Sequence, residues 1–520
     1  MMFKNFSQIS RQVSWFLFFV LLGAVIWRGS FANLDPDLGW HLKFGRDIWL
    51  THQLPHDQLQ LWSINGNWVD HEWLTNLFTF LIYRATGYIG LTFIFALVAV
   101  AGLWLIGRQL RCADRPARDV FIGLWLVLSL AAILPHLGPR PQQLSWLLLI
   151  IEFLLLKKYG DRPDWRLALG LAGFFWLWSS LHAAFFIGLV VLALWAGQAL
   201  WLAWSRRRIR TAVWPLTVLG AAAIATLLTP YGLQLYDFLT TYYRHYGSLS
   251  HISEWKAIWV FPIHYWQLLF IAASAALALT LVIFKRRPRL VAWQWLAVAM
   301  FLLMGFTSVR HIPLFVASAG LVIVPAWLAA NFSPDRQPAK PFPYALALQI
   351  VLPLSLFIVS WIALLTTNFF NDPFQKFCFE YPCQAGRLLQ LHPRYSQLKL
   401  FNQYDYGGWL IWVWPDKQLF IDGRLPQYPF GRWSLLEEYL EFRRPDRIAA
   451  QLKTYDIEAV LWNKQLPQYH LNWLDRLLGF READINGRTD ELKQYLDNSP
   501  DWRRAFADDA SVVYIRRDKF

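Results

Sequence analysis

The chain has 520 residues, of which 56% are hydrophobic and only 16% are charged. This composition excludes a soluble cytoplasmic enzyme and predicts a protein embedded in a lipid bilayer. The formal net charge is +14, but the basic excess lies in short loops between apolar segments, so we expect no nucleic-acid partner.

Apolar segments recur between residues 13 and 366, and most approach the ~20 residues that a helix needs to cross a bilayer. They predict an α-helical polytopic membrane protein with about 11 transmembrane helices. The predicted spans are 13–32, 88–107, 120–136, 142–157, 167–181, 183–204, 212–229, 265–284, 291–307, 312–330 and 343–366. Basic residues concentrate in alternate loops, which predicts a cytoplasmic amino terminus and a carboxyl-terminal part outside the cytoplasm.

The first outer loop, residues 33–87, is too apolar for a simple connection. Its segments 40–50 and 73–81 carry aromatic and aliphatic residues at helical spacing, which predicts two short helices lying along the membrane interface. Two additional short spans are the alternative. Against them, Arg84 interrupts segment 74–87, and that segment is too short to cross a bilayer.

Two carboxylates and an imidazole stand at the start of this loop, as Asp35, Asp37 and His41. Such a group can deprotonate an incoming nucleophile, and its oxygens can hold a divalent cation such as Mg or Mn. The alternative is an Asx-type turn in which Asp35 and Asp37 cap the following helix.

A second polar cluster, Asp70-His71-Glu72, precedes the second interfacial segment. Asp70 fits a helix cap, and Glu72 in the first turn favours the helix dipole. The cluster does not fit the His-Glu-x-x-His zinc pattern, because Asn76 stands where a ligand would be required. We retain Asp70, His71 and Glu72 as candidates for a position close to an acceptor or a metal.

Charged residues also flank later spans on the predicted outer side. Arg140 and Arg310 break the rule that places cations inside, and a guanidinium there suits a phosphate or diphosphate. His311 follows Arg310 directly, and Glu254 lies in the long outer loop 230–264. Contact of the arginines with anionic headgroups is the alternative.

From residue 367 the sequence carries charges throughout, and short apolar runs alternate with helical patterns. The apolar runs are 398–401, 418–421, 459–462 and 511–515, and the helical patterns are 435–442 and 447–455. We therefore predict an extracytoplasmic α/β domain over 367–520 and a transmembrane domain over 1–366. Cys378 and Cys383 lie where a disulfide is permitted, but sequence alone does not decide whether they pair.

Segment 402–410 of this tail combines aromatic, acidic and paired glycine residues, and Asp422-Gly423-Arg424 follows it. A tight turn here can present Asp405 and Tyr406 for binding. The alternative is a purely structural turn between a strand and a helix.

Taken together, these motifs resemble the GT-C class of integral membrane glycosyltransferases, and more narrowly a set of bacterial members that mostly lack an assigned activity. The motifs that carry the resemblance are 35–42, 70–74, 310–313, 404–408 and 421–424. The resemblance covers nearly the whole chain. It implies a multi-pass protein of the bacterial inner (plasma) membrane that uses sugar donors linked to a polyprenyl phosphate.

Two shorter strings are similar to catalytic subunits of oligosaccharyltransferase. Residues 404–407 are similar to that family's Trp-Trp-Asp-Tyr-Gly motif, and 252–254 to its Ser-Val-Ser-Glu loop. The resemblance implies that Asp35 and Glu254 approach the acceptor or a metal, with Tyr406 nearby.

The chain departs from that family in the second outer loop. The family carries an acidic motif there, but segment 135–141 contains no carboxylate. A metal held between both loops is therefore in doubt. Either Asp70 and Glu72 supply the missing ligands, or the enzyme works without a metal.

The leading hypothesis is a glycosyltransferase that moves a sugar from a polyprenyl-phosphate or diphosphate donor to an extracytoplasmic glycan, lipid or protein. Asp35 or Asp37, with His41, is the candidate general base. Arg140, Arg310 and His311 are candidates to bind the donor phosphate. A lipid or polymer transporter or flippase, and a non-catalytic envelope scaffold, are the alternatives, although no internal repeat of the transporter kind is found.

Overall fold

A computed structural model describes residues 2–32, 34–55, 60–64, 68–111, 116–244, 246–284, 291–332, 378–424 and 428–520. The predicted eleventh span, residues 343–366, lies outside the described residues. Cys112 and the boundary predicted between residues 366 and 367 also lie outside them. The division into two domains therefore stays a prediction.

Helices dominate the chain up to residue 332, where continuous apolar runs leave few alternatives to internal backbone hydrogen bonding. They are α1 (Met2–Ala32), α2 (Leu38–Thr51), α3 (Trp73–Leu110), α4 (Pro116–Ile133), α5 (Pro141–Tyr159), α6 (Trp165–Leu181), α7 (Phe185–Ser205), α8 (Val213–Thr226), α9 (Gln234–Arg244), α10 (Tyr265–Ile283), α11 (Ala292–Thr307), α12 (Ile312–Leu321) and α13 (Ile323–Asn331).

Seven described helical segments are long and apolar enough to cross a membrane. They are Arg11–Ala32, Trp73–Leu110, Ala117–His136, Phe185–Ser205, Ile209–Thr226, Tyr265–Ile283 and Val309–Asn331. Helices α5, α6 and α11 coincide with three further predicted spans. The prediction of a multi-pass α-helical membrane protein is confirmed, and the number of about 11 spans stays a prediction.

The two predicted interfacial helices correspond to α2 and the first part of α3. The helical backbone of α3 is interrupted at Gly87, which has φ +67° and ψ −168°. A side chain is strained at such a positive φ, so glycine suits this position. The segment before Gly87 is thus a separate helical piece that leads into the membrane span.

The tail combines helices with a small sheet. Its helices are α14 (Cys383–Leu391), α15 (Gly407–Val413), α16 (Leu435–Glu441), α17 (Ile448–Thr454), α18 (Trp473–Leu477), α19 (Glu482–Asn486) and α20 (Glu491–Asn498). Its strands are β1 (Leu400–Asn402), β2 (Pro429–Phe430), β3 (Trp433–Ser434), β4 (Ala459–Asn463), β5 (Trp502–Ala507) and β6 (Ser511–Arg516). Cys378 and Cys383, whose pairing the sequence left open, form a disulfide.

The described part of the tail contains a four-stranded sheet in the order β1-β4-β6-β5. Strand β1 is parallel to β4, and the pairs β4–β6 and β5–β6 are antiparallel. The central strands β4 and β6 are almost fully buried, as expected of strands covered on both faces. The hairpin β2–β3 lies apart from this sheet.

The apolar run 418–421 pairs with the first outer loop and not with the sheet of the described tail. The Leu419 amide donates to the Gln60 carbonyl at 2.9 Å, and the Leu419 carbonyl accepts from the Trp62 amide at 2.9 Å. A strand-like run of the tail therefore finds its backbone partner in the membrane part of the chain.

Glycines bring the tail into direct backbone contact with the first loop. A Cβ atom on Gly39 would lie 2.1 Å from the Gly408 carbonyl oxygen, and one on Gly408 would lie 2.2 Å from the Pro36 carbonyl oxygen. Any side chain at either position would push α15 away from α2. The two glycine-containing motifs thus pack against each other and hold the tail against the start of α2.

Candidate active site

A cavity of about 210 Å³ lies where the first loop, the ends of several membrane helices and the tail meet. Nine of the twelve residues that the sequence singled out line it among the described residues. They are Asp35, Asp37, His41, His71, Glu72, Arg140, Glu254, Arg310 and His311. Residues separated by up to about 275 positions along the chain, from Asp35 to Arg310, thus converge on one hollow.

One end of the cavity, here called the arginine pole, consists of Asp35, Asp37, Arg140, Glu254 and Arg310. Arg140 Nε lies 2.9 Å from Asp35 Oδ2, and Arg140 Nη1 lies 3.3 Å from Glu254 Oε2. The other Glu254 oxygen forms a short ion pair with Arg310 Nη1. A single carboxylate therefore bridges two guanidinium groups contributed by different helices.

The charges at the arginine pole shift one another's pKa. Burial raises the pKa of Glu254, but the neighbouring Arg310 and Arg140 outweigh burial and hold it below its ordinary value. Burial lowers the pKa of Arg140, and Asp35 with Glu254 outweigh that effect and raise it. Both groups are thus held in their charged forms.

Asp35 and Asp37 play different structural roles. The Asp35 Oδ1 atom accepts the Asp37 amide at 3.0 Å, so Asp35 forms the Asx-type turn that the sequence left open. Asp37 occupies the N-cap position of α2, but within the described residues its side chain accepts no capping hydrogen bond. Its carboxylate instead faces the cavity.

Burial, followed by the negative charge of Asp35, raises the pKa of Asp37 well above its usual range. A raised pKa makes this carboxylate a stronger base and brings it closer to the operating pH, as general-base catalysis requires. Of the two acids, Asp37 is therefore the better candidate for proton transfer.

A residue of the tail lies directly against the side chain of Asp37. A Cβ atom on Gly423 would lie 1.8 Å from Asp37 Oδ1, so only glycine lets the carboxylate occupy its position. The next residue, Arg424, lines the cavity and pairs with Asp422, with Nη2–Oδ2 at 2.7 Å. Its guanidinium also stacks over Phe44 at 4.9 Å.

The opposite end, here called the imidazole pole, consists of His41, His71, Glu72 and His182. The Glu72 Oε1 atom lies 3.3 Å from both His71 Nε2 and His182 Nε2, and Glu72 Oε2 lies 3.8 Å from His41 Nδ1. Burial raises the pKa of Glu72, but His71 and then the other imidazoles outweigh it and lower it to about 2. Glu72 is ionised at every physiological pH.

The three imidazoles differ in protonation. Burial lowers the pKa of His182 to about 3 and also lowers that of His41. Burial acts in the same direction on His71, but its contact with Glu72 outweighs burial and raises its pKa. Of the three imidazoles, His71 is therefore the one whose protonated form Glu72 favours, whereas burial favours the neutral forms of His41 and His182.

Asp70 lies behind the cavity and orients His41 through Asn76. The Asn76 amide donates to Asp70 Oδ1 and Oδ2 at 2.8 and 2.9 Å, which turns the Asn76 carbonyl oxygen toward His41 Nδ1 at 2.5 Å. Nδ1 of His41 is then the donor, and Nε2 carries the lone pair. Burial raises the pKa of Asp70 to about 7.

Asp405 and Tyr406 lie outside the cavity as the described residues outline it, and their position near an acceptor or a metal stays a prediction. The helical turn Tyr404–Tyr406 points its side chains in different directions: Asp405 is exposed and accepts from Gln403 at 3.0 Å, and the Tyr406 hydroxyl donates to the Ala510 carbonyl at 3.0 Å. Tyr404, their neighbour, lines the cavity.

The sequence analysis assigned no role to His182 and Arg424, which line the cavity. His182 stands between two apolar segments, where an ionisable residue is a signal of a site. Arg424 belongs to the motif Asp422-Gly423-Arg424. It is far in sequence from the membrane helices, so its contact with the cavity could not be predicted.

A divalent cation was a possible cofactor on the sequence. Within the described ranges, no three carboxylate, imidazole or thiol side chains are arranged to hold one. Asp35 and Glu254, two of the candidate ligands, are already engaged with arginines. A metal cofactor stays a prediction from the sequence.

Comparison with known structures supports the fold. No family model matches the sequence, and no curated protein matches it. Structural similarity is found to the Archaeoglobus fulgidus oligosaccharyltransferase tethered with an acceptor peptide, with a TM-score of 0.52 and 12% identity. That match covers 86% of this chain and 69% of the other.

A second similar structure is ArnT from Cupriavidus metallidurans bound to undecaprenyl phosphate. Its TM-score is 0.50 at 12% identity, and the match covers 96% of this chain and 97% of the other. The chain has the GT-C fold. A third structure, Archaeoglobus fulgidus AglB with an inhibitory peptide and a dolichol-phosphate, gives a TM-score of 0.51 at 12% identity over 89% and 70% of the two chains.

Proposed function

We propose that this GT-C protein is a glycosyltransferase that moves a sugar from a polyprenyl-phosphate or diphosphate donor to an acceptor outside the cytoplasm. The observation that carries the proposal is the arginine pole, where two guanidinium groups and a base of raised pKa face one cavity beside a membrane. The work of such an enzyme is to bind a phosphate leaving group and deprotonate an acceptor.

Arg140 and Arg310 bind the donor phosphate in this proposal. Both now contact Glu254, whose carboxylate occupies the space between them. A phosphate placed between the arginines while Glu254 remains would bring like charges together, which is unfavourable at such short distance. Donor binding therefore displaces Glu254 and exchanges one anion for another.

Asp37 acts as general base. An acceptor hydroxyl attacks the anomeric carbon of the sugar, the bond from that carbon to the phosphate oxygen breaks, and the hydroxyl proton passes to Asp37. The electron pair leaves with the phosphate, where Arg140 and Arg310 stabilise the developing charge. His41, with its lone pair on Nε2, is the second candidate to accept the proton.

The lipid part of the donor fits the apolar wall beside the arginine pole. Ile133, Leu137 and Leu314 line this side of the cavity, and they lie at the ends of apolar membrane segments. Two of the similar structures contain undecaprenyl phosphate and dolichol-phosphate, which supports a polyprenyl phosphate as the carrier here.

The acceptor, a glycan, lipid or protein, enters beside the tail in this proposal. Tyr404 and Arg424 bring tail side chains to the cavity, so the tail limits which acceptor reaches Asp37. Location in the bacterial inner membrane is what the resemblance implies, and the distribution of basic loops favours a tail outside the cytoplasm; both belong to the proposal.

The full-length protein in nanodiscs, incubated with radiolabelled hexosyl and pentosyl polyprenyl phosphates and an envelope fraction, tests the proposal. We expect label to leave the lipid and appear in a new glycosidic product, and Arg84→Met, outside the cavity, to leave this transfer unchanged. Movement of intact donor across vesicles without a new glycosidic bond would show a transporter. Absence of both reactions across the donor panel would favour a scaffold and contradict the proposal.

A further inference from the structure

One short segment of the tail exposes large apolar side chains. Within residues 469–481, Trp473 is 71% exposed, Leu477 is 74% exposed and Leu478 is 59% exposed. These three side chains, here called the apolar tip, lie within two turns of chain around α18. Single exposed apolar residues are ordinary, but three large ones together mark a contact surface.

The segment is fixed to the beginning of a membrane span. The Tyr265 hydroxyl, on the first residue of α10, donates to Asp475 Oδ1 of α18. Phe261, just before α10, packs its ring 5.1 Å from Phe480 and 5.5 Å from Tyr469, one on each side of α18. The apolar tip is therefore held at the level where α10 enters the membrane.

Reciprocal hydrogen bonds fix the first turn of α18. Its N-cap Asn472 accepts the Asp475 amide at 2.9 Å, and Asp475 Oδ2 accepts the Asn472 amide at 3.0 Å, a reciprocal capping box. The same Asp475 carboxylate receives Tyr265, so one buried side chain links the helix start to the span. The apolar tip is presented by a fixed helix and not by a loose end.

The apolar tip continues the surface that α10 offers to lipid. Trp266 and Leu269 on α10 and Trp259 in the preceding loop are all exposed. Arg481, beside the apolar tip, is exposed as well, and so is Arg476, which also pairs with Glu482 at 3.1 Å. Tryptophan at the membrane boundary and arginine reaching anionic headgroups are the composition of an interfacial segment.

We propose that residues 469–481 insert the apolar tip into the headgroup region of the leaflet that borders the cavity. The tail then has two anchors, the glycine contact of α15 with α2 and this lipid contact. A second copy of the chain is a poorer occupant, because a segment of this size does not approach the roughly 20–30 residues a side of a stable interface. The proposal is independent of the reaction proposed above.

The test uses the full-length chain with Cys112→Ser, in which Cys378 and Cys383 remain paired and a single new cysteine carries an environment-sensitive fluorophore. Leu477→Cys probes the apolar tip. Leu279→Cys, exposed on α10, is the lipid-facing reference, and Asp446→Cys, exposed on the tail, is the aqueous reference. Each protein is placed in nanodiscs of phosphatidylcholine and phosphatidylglycerol with plain or brominated acyl chains.

We expect brominated lipid to quench the label at Leu477→Cys to an extent approaching Leu279→Cys, and its emission to shift to the blue of Asp446→Cys. Leu478→Cys should behave in the same way, which guards against a local effect of one label. Quenching no greater than at Asp446→Cys at both positions would overturn the proposal. A blue shift without quenching by brominated lipid would also overturn it, and would indicate a protein partner such as a second copy.

Discussion

The two poles of the cavity are built in opposite ways. The arginine pole gathers residues from the first loop and from widely separated helices, and Glu254 and Arg310 remain partly exposed. The imidazole pole surrounds a buried Glu72 with three imidazoles, and Asn76 and Asp70 support it from behind. Partly exposed ion pairs suit the binding of a charged ligand, whereas a buried, satisfied network fixes protonation states.

The largest effect is expected from Asp37→Asn. Loss of the general base should lower the transfer rate by about 10²–10⁴-fold while donor affinity changes little. Because burial and Asp35 raise the pKa of Asp37, the wild-type rate should rise with pH as this carboxyl loses its proton. Transfer measured against pH should lose that rising limb in the variant.

Asp47→Asn is the matched control for Asp37→Asn, since Asp47 lies on the same helix and pairs with Lys43 at 2.7 Å. It should transfer sugar at the wild-type rate. Equal rates for wild type and a folded Asp37→Asn protein would exclude Asp37 as the base and direct attention to His41.

The next effect concerns stability at the imidazole pole. The pKa of Glu72, lowered to about 2, corresponds to about 3 kcal/mol of stabilisation that is complete above the ordinary pKa of a glutamate and is lost as pH falls toward 2. Glu72→Gln should therefore lower the melting temperature most at neutral pH. The difference from wild type should shrink below about pH 4.5.

Thermal unfolding of both proteins in one detergent across this pH range is the measurement. Glu482→Gln, on an exposed ion pair with Arg476 at 3.1 Å, provides the control and should change the melting temperature little. If the difference in melting temperature between wild type and Glu72→Gln does not depend on pH, charge does not stabilise the imidazole pole.

Arg310→Met should weaken binding of undecaprenyl phosphate about tenfold to 100-fold, since hydrogen bonds to charged groups contribute about 1.5–3 kcal/mol. Native mass spectrometry of the protein with this lipid measures the change. Arg84→Met, which removes an exposed guanidinium that stacks over Trp49, should bind as wild type does. Equal loss in both variants would mean that general charge, and not the arginine pole, binds the lipid.

Glu254→Gln should have the smallest effect and the opposite sign. Removing the anion that bridges Arg140 and Arg310 should strengthen undecaprenyl phosphate binding about twofold to fivefold, because partly exposed ion pairs contribute roughly 0.5–1 kcal/mol. The same binding assay applies. Weaker binding in this variant would show that Glu254 helps to hold the donor and does not compete with it.

Much of the fold could be predicted because its signals are local. Apolar length predicted the membrane helices, and the interrupted apolar pattern before Gly87 predicted a separate interfacial segment. The pairing of Leu419 with the first loop was not predictable, since a short apolar run has the same pattern whichever strand it joins.

The site could be predicted where an ionisable residue interrupts an apolar segment, as Arg140 and Arg310 do. It could not be predicted in the tail, where the choice between Tyr404, Asp405 and Tyr406 depends on how one helical turn directs its side chains. Gly423 is the sequence signal for the contact of the tail with the site, because its lack of a side chain makes room for the carboxylate of Asp37.

A cryo-EM map of the full-length protein with undecaprenyl phosphate shows whether the arginine pole binds the phosphate of the donor. We expect the phosphate between Arg140 and Arg310, within hydrogen-bond distance of both guanidinium groups, with Glu254 moved away from them. A headgroup bound elsewhere while Glu254 still bridges the two arginines would contradict it.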